Sequence, residues 1–542
     1  MNYLPKSLAV GFVLVTFAAS SVLAAGKHPV TGEALADDQT FTYSVLDEFT
    51  TADPQLVEDV EGSWFVRDLF EGLMNQDADG NLIPGVATGY TTNEAKDVYT
   101  FTLRKNAKWS DGNPVTAHNF VYAWRRLADP ATASPYSWFA DIMALENVGA
   151  VMSGESPPEA LGVRALDNHT LEVRLTASLP YFAAMTTHAS TFPSPEWTVR
   201  TFGDDWTKPE NIVGNGAYVL TEHIPNETAT RERNSWYWNN DATIIDKVVT
   251  LVINDENTDF TRWEAGETDR GAVPSGQYPR LKAQYPDEAI SFPRLCTYYM
   301  TFNLSPGGPE AFKDVRVRQA LSYALDRSVV TDKVLQGGQI QAFTFTPGAT
   351  AGFEVPAVAF GQMSQDERNA KAKELMAAAG YGSDNPLKFE YLYNTSEGHK
   401  KIAIAAQQMW KETLGVEATL ANQEWKTFLK TRGGQNFDVA RGGWCGDYNE
   451  ASTFLDLMTT PSGYNDGKFS NDEVDELMTS ARTMSDATAN YTRVEEIMAN
   501  EMPIIPVYHY TGVFMLRNNV KGWPFNNVEQ NIYSRDLYKV AD

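Results

Sequence analysis

Segments with the periodicity of strands alternate with segments with the periodicity of helices along most of this chain. Val98 to Arg104 alternates apolar and polar residues, and Val248 to Ile253 is the continuous apolar run of a strand covered on both faces. Val315 to Leu325 and His399 to Leu414 have the spacing of amphipathic helices. This alternation predicts an α/β fold with sheets in more than one domain.

The size and composition agree with several packed domains. The chain has 542 residues, of which 43% are hydrophobic, and this excludes a disordered or fibrous protein. Its 70 acidic and 44 basic side chains give a net charge of −26, which argues against nucleic acid and anionic lipid as partners. No low-complexity linker divides the sequence, so we expect the chain to cross between domains through ordered strands.

Residues 1–24 have the layout of a cleaved secretory signal peptide. Lys6 precedes an apolar run from Leu8 to Ala19, and small residues follow as far as Ala25. A membrane anchor is the alternative, but an anchor needs about 20 apolar residues and this run is shorter. We predict cleavage after Ala24 and export to the periplasm.

The two cysteines, Cys296 and Cys445, are too few for a four-cysteine zinc site or an iron–sulfur cluster. In an oxidising compartment an isolated pair favours a disulfide over a catalytic thiol. Two buried, unpaired thiols are the alternative.

The sequence lacks the motifs of common enzymes. It has no Gly-x-Ser-x-Gly, His-Glu-x-x-His or phosphate-loop pattern, and its seven histidines are scattered. We therefore expect neither an enzyme nor a resident metal or cofactor. A secreted peptidase stays open as an alternative, because folding can bring two of the many carboxylates together.

Seven short motifs, in this order along the chain, resemble those of the extracytoplasmic solute-binding proteins of peptide transporters. They are Arg67 to Leu73 (RDLFEGL), Trp109 to Ala117 (WSDGNPVTA), Gly214 to Val219 (GNGAYV), Asp314 to Arg318 (DVRVR), Tyr393 to His399 (YNTSEGH), Asn422 to Thr427 (NQEWKT) and Asp438 to Glu450 (DVARGGWCGDYNE). Each motif alone is modest, but their order and spacing are specific. Within this family, the resemblance is to the oligopeptide-binding and murein-peptide-binding members.

The resemblance implies a two-lobed periplasmic-binding-protein fold in three domains, with the ligand buried between the lobes. Lobe I would combine residues 25–70, 193–295 and 515–542 with an inserted domain over 71–192, and lobe II would be 296–514. Cys296 and Cys445 would form a disulfide in lobe II. The protein would be a monomer that binds short peptides largely irrespective of side chains and delivers them to an inner-membrane ABC transporter. A receptor for murein tripeptide is the alternative within the same fold.

The resemblance also assigns groups to the two ends of the peptide. Asp447 matches the carboxylate that receives the α-ammonium group, although an isolated loop aspartate is usually structural. Arg441 and His399 match cations that receive the terminal carboxylate of ligands of different length. Arg432 is a further basic match, and both it and His399 could instead be ordinary surface charges.

Backbone recognition is expected by strand addition, with Glu58 to Val60 and Gly443 to Cys445 as the flanking strands. Gly443 would let the ligand backbone approach closely, although it could equally mark a bend. Trp425 and Trp444 would wall side-chain pockets, a role that competes with ordinary core packing. Asn394, in the motif before His399, completes the predicted site.

The sequence departs from the family pattern at two positions. Leu335 replaces a lysine and Gly433 replaces a histidine. Since leucine cannot bind a carboxylate, we expect the length preference carried by that lysine to be altered.

Overall fold

The computed structural model describes residues 26–541, so the predicted signal peptide over 1–24 lies outside the described residues. The strands are β1 (Thr40–Val45), β2 (Met74–Gln76), β3 (Leu82–Pro84), β4 (Ala87–Thr92), β5 (Val98–Leu103), β6 (Val163–Asp167), β7 (Thr170–Arg174), β8 (Tyr218–Ile224), β9 (Thr228–Arg233), β10 (Lys247–Val252), β11 (Arg270–Ala272), β12 (Ala289–Phe302), β13 (Ile340–Gln341), β14 (Lys388–Asn394), β15 (Glu417–Gln423), β16 (Val439–Cys445), β17 (Ile504–Leu516), β18 (Val520–Lys521) and β19 (Tyr538–Lys539).

The α-helices are α1 (Val60–Leu69), α2 (Ala117–Ala128), α3 (Ser137–Ile142), α4 (Val148–Met152), α5 (Phe182–Met185), α6 (Glu196–Phe202), α7 (Glu256–Glu264), α8 (Tyr278–Gln284), α9 (Val315–Tyr323), α10 (Gln365–Ala378), α11 (Glu397–Leu414), α12 (Trp425–Gly433), α13 (Ser452–Leu455), α14 (Asp472–Ala481) and α15 (Thr488–Glu501). Within residues 26–541, no helix is both long enough and apolar enough to span a bilayer.

An 11-stranded mixed sheet runs through the molecule. Its order is β15-β14-β16-β12-β17-β11-β1-β10-β9-β8, with β13 on β17. The long strands β12 and β17 join its two halves, because β12 pairs β16 in one half while β17 pairs β11 in the other. The prediction that ordered strands carry the chain between domains is therefore confirmed.

The junction between the halves lies where the pairing of β12 and β17 is irregular. The register shifts between Pro293 and Thr297, which face Thr511 and His509. This supports a lobe boundary at 295/296, and we propose that the matching boundary in β17 lies near Tyr510 rather than at 514/515. The ladder of hydrogen bonds between β12 and β17 is interrupted at this shift.

A separate four-stranded antiparallel sheet, β4-β5-β7-β6, lies within residues 71–192. Its strand β5 coincides with the alternating segment seen in the sequence. Helix α2 follows, with its first residue preceded by Thr116, whose N–H donates to Asn119 Oδ1 at 2.8 Å. We propose that this unit is the inserted domain of lobe I.

Aromatic contacts connect the inserted unit to the far half of the large sheet. Trp138 lies 5.9 Å from Trp444 between ring centroids, and Tyr181 stacks on Tyr448 at 5.2 Å. The buried side chains of the two units consequently form one continuous hydrophobic cluster. A cavity lies beside these contacts, between the two halves of the molecule.

Candidate functional site

A cavity of about 240 Å³ lies between the two halves of the molecule. All eleven residues predicted to bind peptide line it: Glu58, Val60, Asn394, His399, Trp425, Arg432, Arg441, Gly443, Trp444, Cys445 and Asp447. The fold thus brings together residues that are up to 389 positions apart, from Glu58 to Asp447.

Strand β16 presents an unpaired backbone edge to this cavity. One edge pairs β12 along the whole strand, from Val439 to Cys445. The other edge pairs β14 only at Val439 and Ala440. From Arg441 to Cys445 that second edge has no strand beside it among the described residues, so its N–H and C=O groups are available to an added strand.

The two glycines of β16 differ in how strictly the fold requires them. A Cβ on Gly442 would collide with the ring of Tyr299 on β12. A Cβ on Gly443 would lie 2.6 Å from Nη2 of Arg441, the end of a flexible side chain that can move away. The structure therefore gives Gly442 a packing reason, and it leaves Gly443 with the predicted close approach of a ligand backbone.

Glu58 to Val60 do not form the second flanking strand that was predicted. Glu58 and Asp59 are irregular, and Val60 is the first residue of α1. The reason is local, because the Asp59 carboxylate accepts the N–H of Gly62 and caps the helix. Glu58 still faces the cavity, where Tyr464 Oη donates to its carboxylate at 3.0 Å.

Asp447 follows β16 and is buried with one carboxylate oxygen unbonded. Its Oδ1 lies 3.4 Å from both Tyr136 Oη and His188 Nε2, while its Oδ2 has no hydrogen-bond partner among the described residues. Burial raises the pKa of Asp447 well above its ordinary value. Burial and the charge of Arg67 lower the pKa of His188, so the neighbouring imidazole is neutral and supplies no countercharge. This carboxylate is stabilised by a proton or by an incoming cation.

Arg441 lies at the other end of the unpaired edge. Its Nη2 donates to Tyr510 Oη at 2.8 Å, and its guanidinium lies 5.2 Å from the ring centroid of Tyr298. Its Nε is buried without a partner among the described residues. The charge of Arg441 has no carboxylate within ion-pair distance in residues 26–541, so it is available to an anion.

The other two predicted cations differ from Arg441. Burial, followed by the charge of Arg441, lowers the pKa of His399 well below its ordinary value, so this imidazole is neutral, with one donor and one acceptor nitrogen and no charge for a carboxylate. Arg432 Nε lies 2.6 Å from Asp466 Oδ2, and both side chains are mostly buried. Its charge is thus already matched within the protein.

The remaining predicted residues form walls. Trp444 is buried, donates from Nε1 to the carbonyl of Thr453 at 2.7 Å, and packs on Tyr464. Trp425 begins α12 and is half-buried. Asn394 is buried at the end of β14 with its Oδ1 unbonded among the described residues.

The predicted disulfide between Cys296 and Cys445 is present. The two residues lie directly opposite each other on the antiparallel strands β12 and β16. The bond fixes the end of β16 that leads into Asp447.

The sequence did not indicate many of the other residues that line the cavity. Residues outside the predicted set also line the cavity, among them Asp47, Glu61, Trp64, Tyr136, His188, Arg294, Tyr510 and Glu529. They are isolated positions with no local pattern, so nothing in the sequence distinguished them. Leu335 and Gly433 are not in the cavity wall; Leu335 packs against the hydrophobic cluster of the α9–α11 region.

The sequence profile of the bacterial extracellular solute-binding proteins, family 5 (middle region), matches residues 81–466. The chain belongs to this family. It is 45% identical over 513 residues to the periplasmic murein peptide-binding protein MppA of Escherichia coli, covering 94% of this chain and 95% of MppA. It is 42% identical over 542 residues to the periplasmic oligopeptide-binding protein OppA of Salmonella typhimurium, covering 99% of both chains.

The solved structures of two relatives have the same fold. E. coli MppA matches with a TM-score of 0.91 at 44% identity, covering 94% of this chain and 100% of that one. Haemophilus influenzae OppA in complex with the peptide RPPGFSPFR matches with a TM-score of 0.90 at 39% identity, over 94% and 100% of the two chains. The unliganded open form of MppA gives only 0.68. The two-lobed fold is therefore confirmed, and the lobes of this protein are in an arrangement unlike that open form.

Proposed function

We propose that this protein is a periplasmic receptor that binds short peptides by their backbone and termini and delivers them to an inner-membrane ABC importer. The observation that carries the proposal is the unpaired edge of β16 over Arg441–Cys445, which faces a cavity between two lobes. An extended peptide bonded to this edge gains affinity from its main chain, so side chains need not be read closely.

The two ends of the edge carry opposite charges, as a zwitterionic chain requires. Asp447 is buried with a free oxygen at one end, and Arg441 has a guanidinium without a carboxylate partner at the other. A buried ion pair that lacks one member costs about 3–5 kcal/mol, so both groups favour ligands with free termini. Family membership and the similarity to the peptide-binding proteins MppA and OppA support the same class of ligand.

Ligand identification tests this proposal directly. The purified protein is denatured, and any released small molecules are identified by mass spectrometry. The refolded protein is then titrated with tri- and tetrapeptides while the melting temperature and the radius of gyration are followed. We expect bound peptide to raise the melting temperature by mass action. At a peptide concentration a hundredfold above Kd, the free energy of unfolding should increase by about 2.7 kcal/mol. No binding across a diverse peptide library would reject the receptor role.

Murein tripeptide is a second candidate ligand, because the identity to MppA, at 45%, exceeds that to OppA, at 42%. Competition between murein tripeptide and ordinary tripeptides separates the two candidate ligands.

The family consists of solute-binding receptors rather than enzymes. Recovery of intact peptide after prolonged incubation with the protein would exclude a peptidase.

A further inference from the structure

Arg294 lines the cavity, but its charge has no role in binding either terminus of the peptide. It lies on β12 in the irregular stretch between Pro293 and Thr297, where the two halves of the large sheet meet. Its side chain lines the cavity and lies 5.8 Å from the ring centroid of Trp64. No sequence motif singled it out.

The guanidinium of Arg294 makes no hydrogen bond and no ion pair with any residue in 26–541. Its Nε and Nη2 are fully buried and without partners. The other arginines of the cavity wall differ, since Arg67 donates to the carbonyl of Thr187, Arg432 contacts Asp466, and Arg441 donates to Tyr510. Within the described chain, Arg294 is thus the one cavity arginine with all its donors unused.

Unused charged donors in a buried place are costly. Leaving a buried donor unsatisfied costs the desolvation of that group, and more when the group is charged. The acid that acts most on Arg294 is Glu61, which is not within ion-pair distance. Burial, reinforced by the charge of Asp59, raises the pKa of Glu61, so it is a poor countercharge. An anion in the cavity would provide the hydrogen-bond acceptors and the countercharge that Arg294 lacks.

The backbone of Arg294 lies at the Asp447 end of the site. The next residue, Leu295, accepts the N–H of Gly446, and Cys296 is bonded to Cys445. The guanidinium of Arg294 is near enough to Tyr510, whose hydroxyl accepts from Arg441, to interact with it electrostatically. Because the proposed function assigns the terminal carboxylate to Arg441, a side-chain carboxylate is the anion left for Arg294, and peptides with an amidated C-terminus distinguish the two.

We propose that Arg294 is a subsite for the side-chain carboxylate of an acidic residue among the first three residues of the bound peptide. This inference rests on the proposed function and adds to it a preference for peptides that carry such an acidic residue. The planar fork of arginine suits bidentate binding of that carboxylate.

The test compares matched peptides by titration calorimetry. Trialanine and its single glutamate and glutamine substitutions at each position are titrated into the wild type, Arg294→Met, Arg294→Lys and the control Arg200→Met. Arg200 is an exposed residue paired with Glu196 on α6, and it is not among the residues that line the cavity. Each peptide is also made with an amidated C-terminus, which removes the terminal carboxylate.

We expect the wild type to prefer glutamate over glutamine at one position by about tenfold to a hundredfold, the range of a charge-assisted hydrogen bond. Arg294→Met should lose this preference, which is a ratio of two affinities and does not depend on how tightly trialanine binds. Arg294→Lys should keep part of it, and Arg200→Met all of it. C-terminal amidation should leave the ratio unchanged.

Equal affinity for glutamate and glutamine peptides at all three positions in the wild type would overturn the inference, while binding of trialanine would leave the proposed function standing. A preference that survives in Arg294→Met, or that disappears on amidation, would also overturn it. Failure of every peptide to bind would reject the proposed function itself. If Arg294→Met does not fold, the wild-type ratios and Arg294→Lys decide the question.

Discussion

His188 Nε2 lies 3.4 Å from Asp447 Oδ1, and this contact spans the cavity. The histidine comes from the proposed inserted domain and the aspartate from the loop after β16. Since burial lowers the pKa of His188 well below its ordinary value, the imidazole is neutral and the two residues do not form an ion pair. The contact joins the two sides of the cavity, but it leaves Asp447 Oδ2 without a hydrogen-bond partner among the described residues.

Replacing Asp447 by asparagine should separate ligands by their N-terminus. The substitution keeps the shape of the side chain but removes the charge that meets the α-ammonium group. Peptides with a free N-terminus should lose about 3–5 kcal/mol of binding free energy, the cost of breaking a buried pair. N-acetylated peptides, already weak, should change little. Calorimetry on both sets measures this, and equal losses for both would assign Asp447 a structural role.

Replacing Arg441 by methionine should separate ligands by their C-terminus. The variant keeps most of the aliphatic stem, which packs on Tyr298, and removes the donor fork. Short peptides whose carboxylate reaches Arg441 should lose about 1.5–3 kcal/mol. Longer peptides that end nearer His399 should be spared. Di- to pentapeptides, with amidated versions as controls, test this by calorimetry, and a loss independent of length and amidation would contradict it.

The sequence predicted regular elements well because their signals are local. Segments β5 and β10 agree with the predicted strands to within one residue. Helix α11 begins at Glu397, two residues before the expected His399, because Ser396 caps the helix by accepting the N–H of His399, which the periodicity did not reveal. Local pattern therefore located elements, while side-chain capping set their ends.

The half of the site carried by β16 and the loop after it was predictable because one continuous motif holds Arg441, Gly443 and Asp447. The opposite wall was not, because Tyr136, His188 and Arg294 are single residues that only the fold brings together. The one wrong element, a strand at Glu58 to Val60, failed because a helix cap at Asp59 decided the local structure.

Removing the disulfide should reduce stability more than affinity. Cys296 and Cys445 enclose a loop of 149 residues, so the crosslink restricts the unfolded chain strongly. The double variant Cys296→Ser/Cys445→Ser should lose about 2–5 kcal/mol of unfolding free energy in urea. Strands β12 and β16 stay paired from Thr297 to Phe302, so peptide affinity should fall by less than tenfold. An unchanged unfolding midpoint would show that the ladder alone provides the constraint.

Acidification should favour the closed arrangement of the lobes. Burial raises the pKa of Asp47, Asp456 and Glu529 to about 7 each, and Asp47 and Glu529 line the cavity. Opening would hydrate these two carboxyls and return their pKa values towards about 4. Between those values the closed state binds more protons than the open state, so closure is stabilised below pH 7 and weakened as the pH rises through 7.

Small-angle scattering of the ligand-free protein in solution measures this effect. The radius of gyration should be smaller at pH 5.5 than at pH 8, whereas saturating peptide should hold it small at both. The double variant Asp47→Asn/Glu529→Gln removes two of the cavity carboxyls whose pKa is raised, and its radius should vary less with pH. A ligand-free radius that is constant or grows on acidification would show that these carboxyls keep their pKa values when the lobes open.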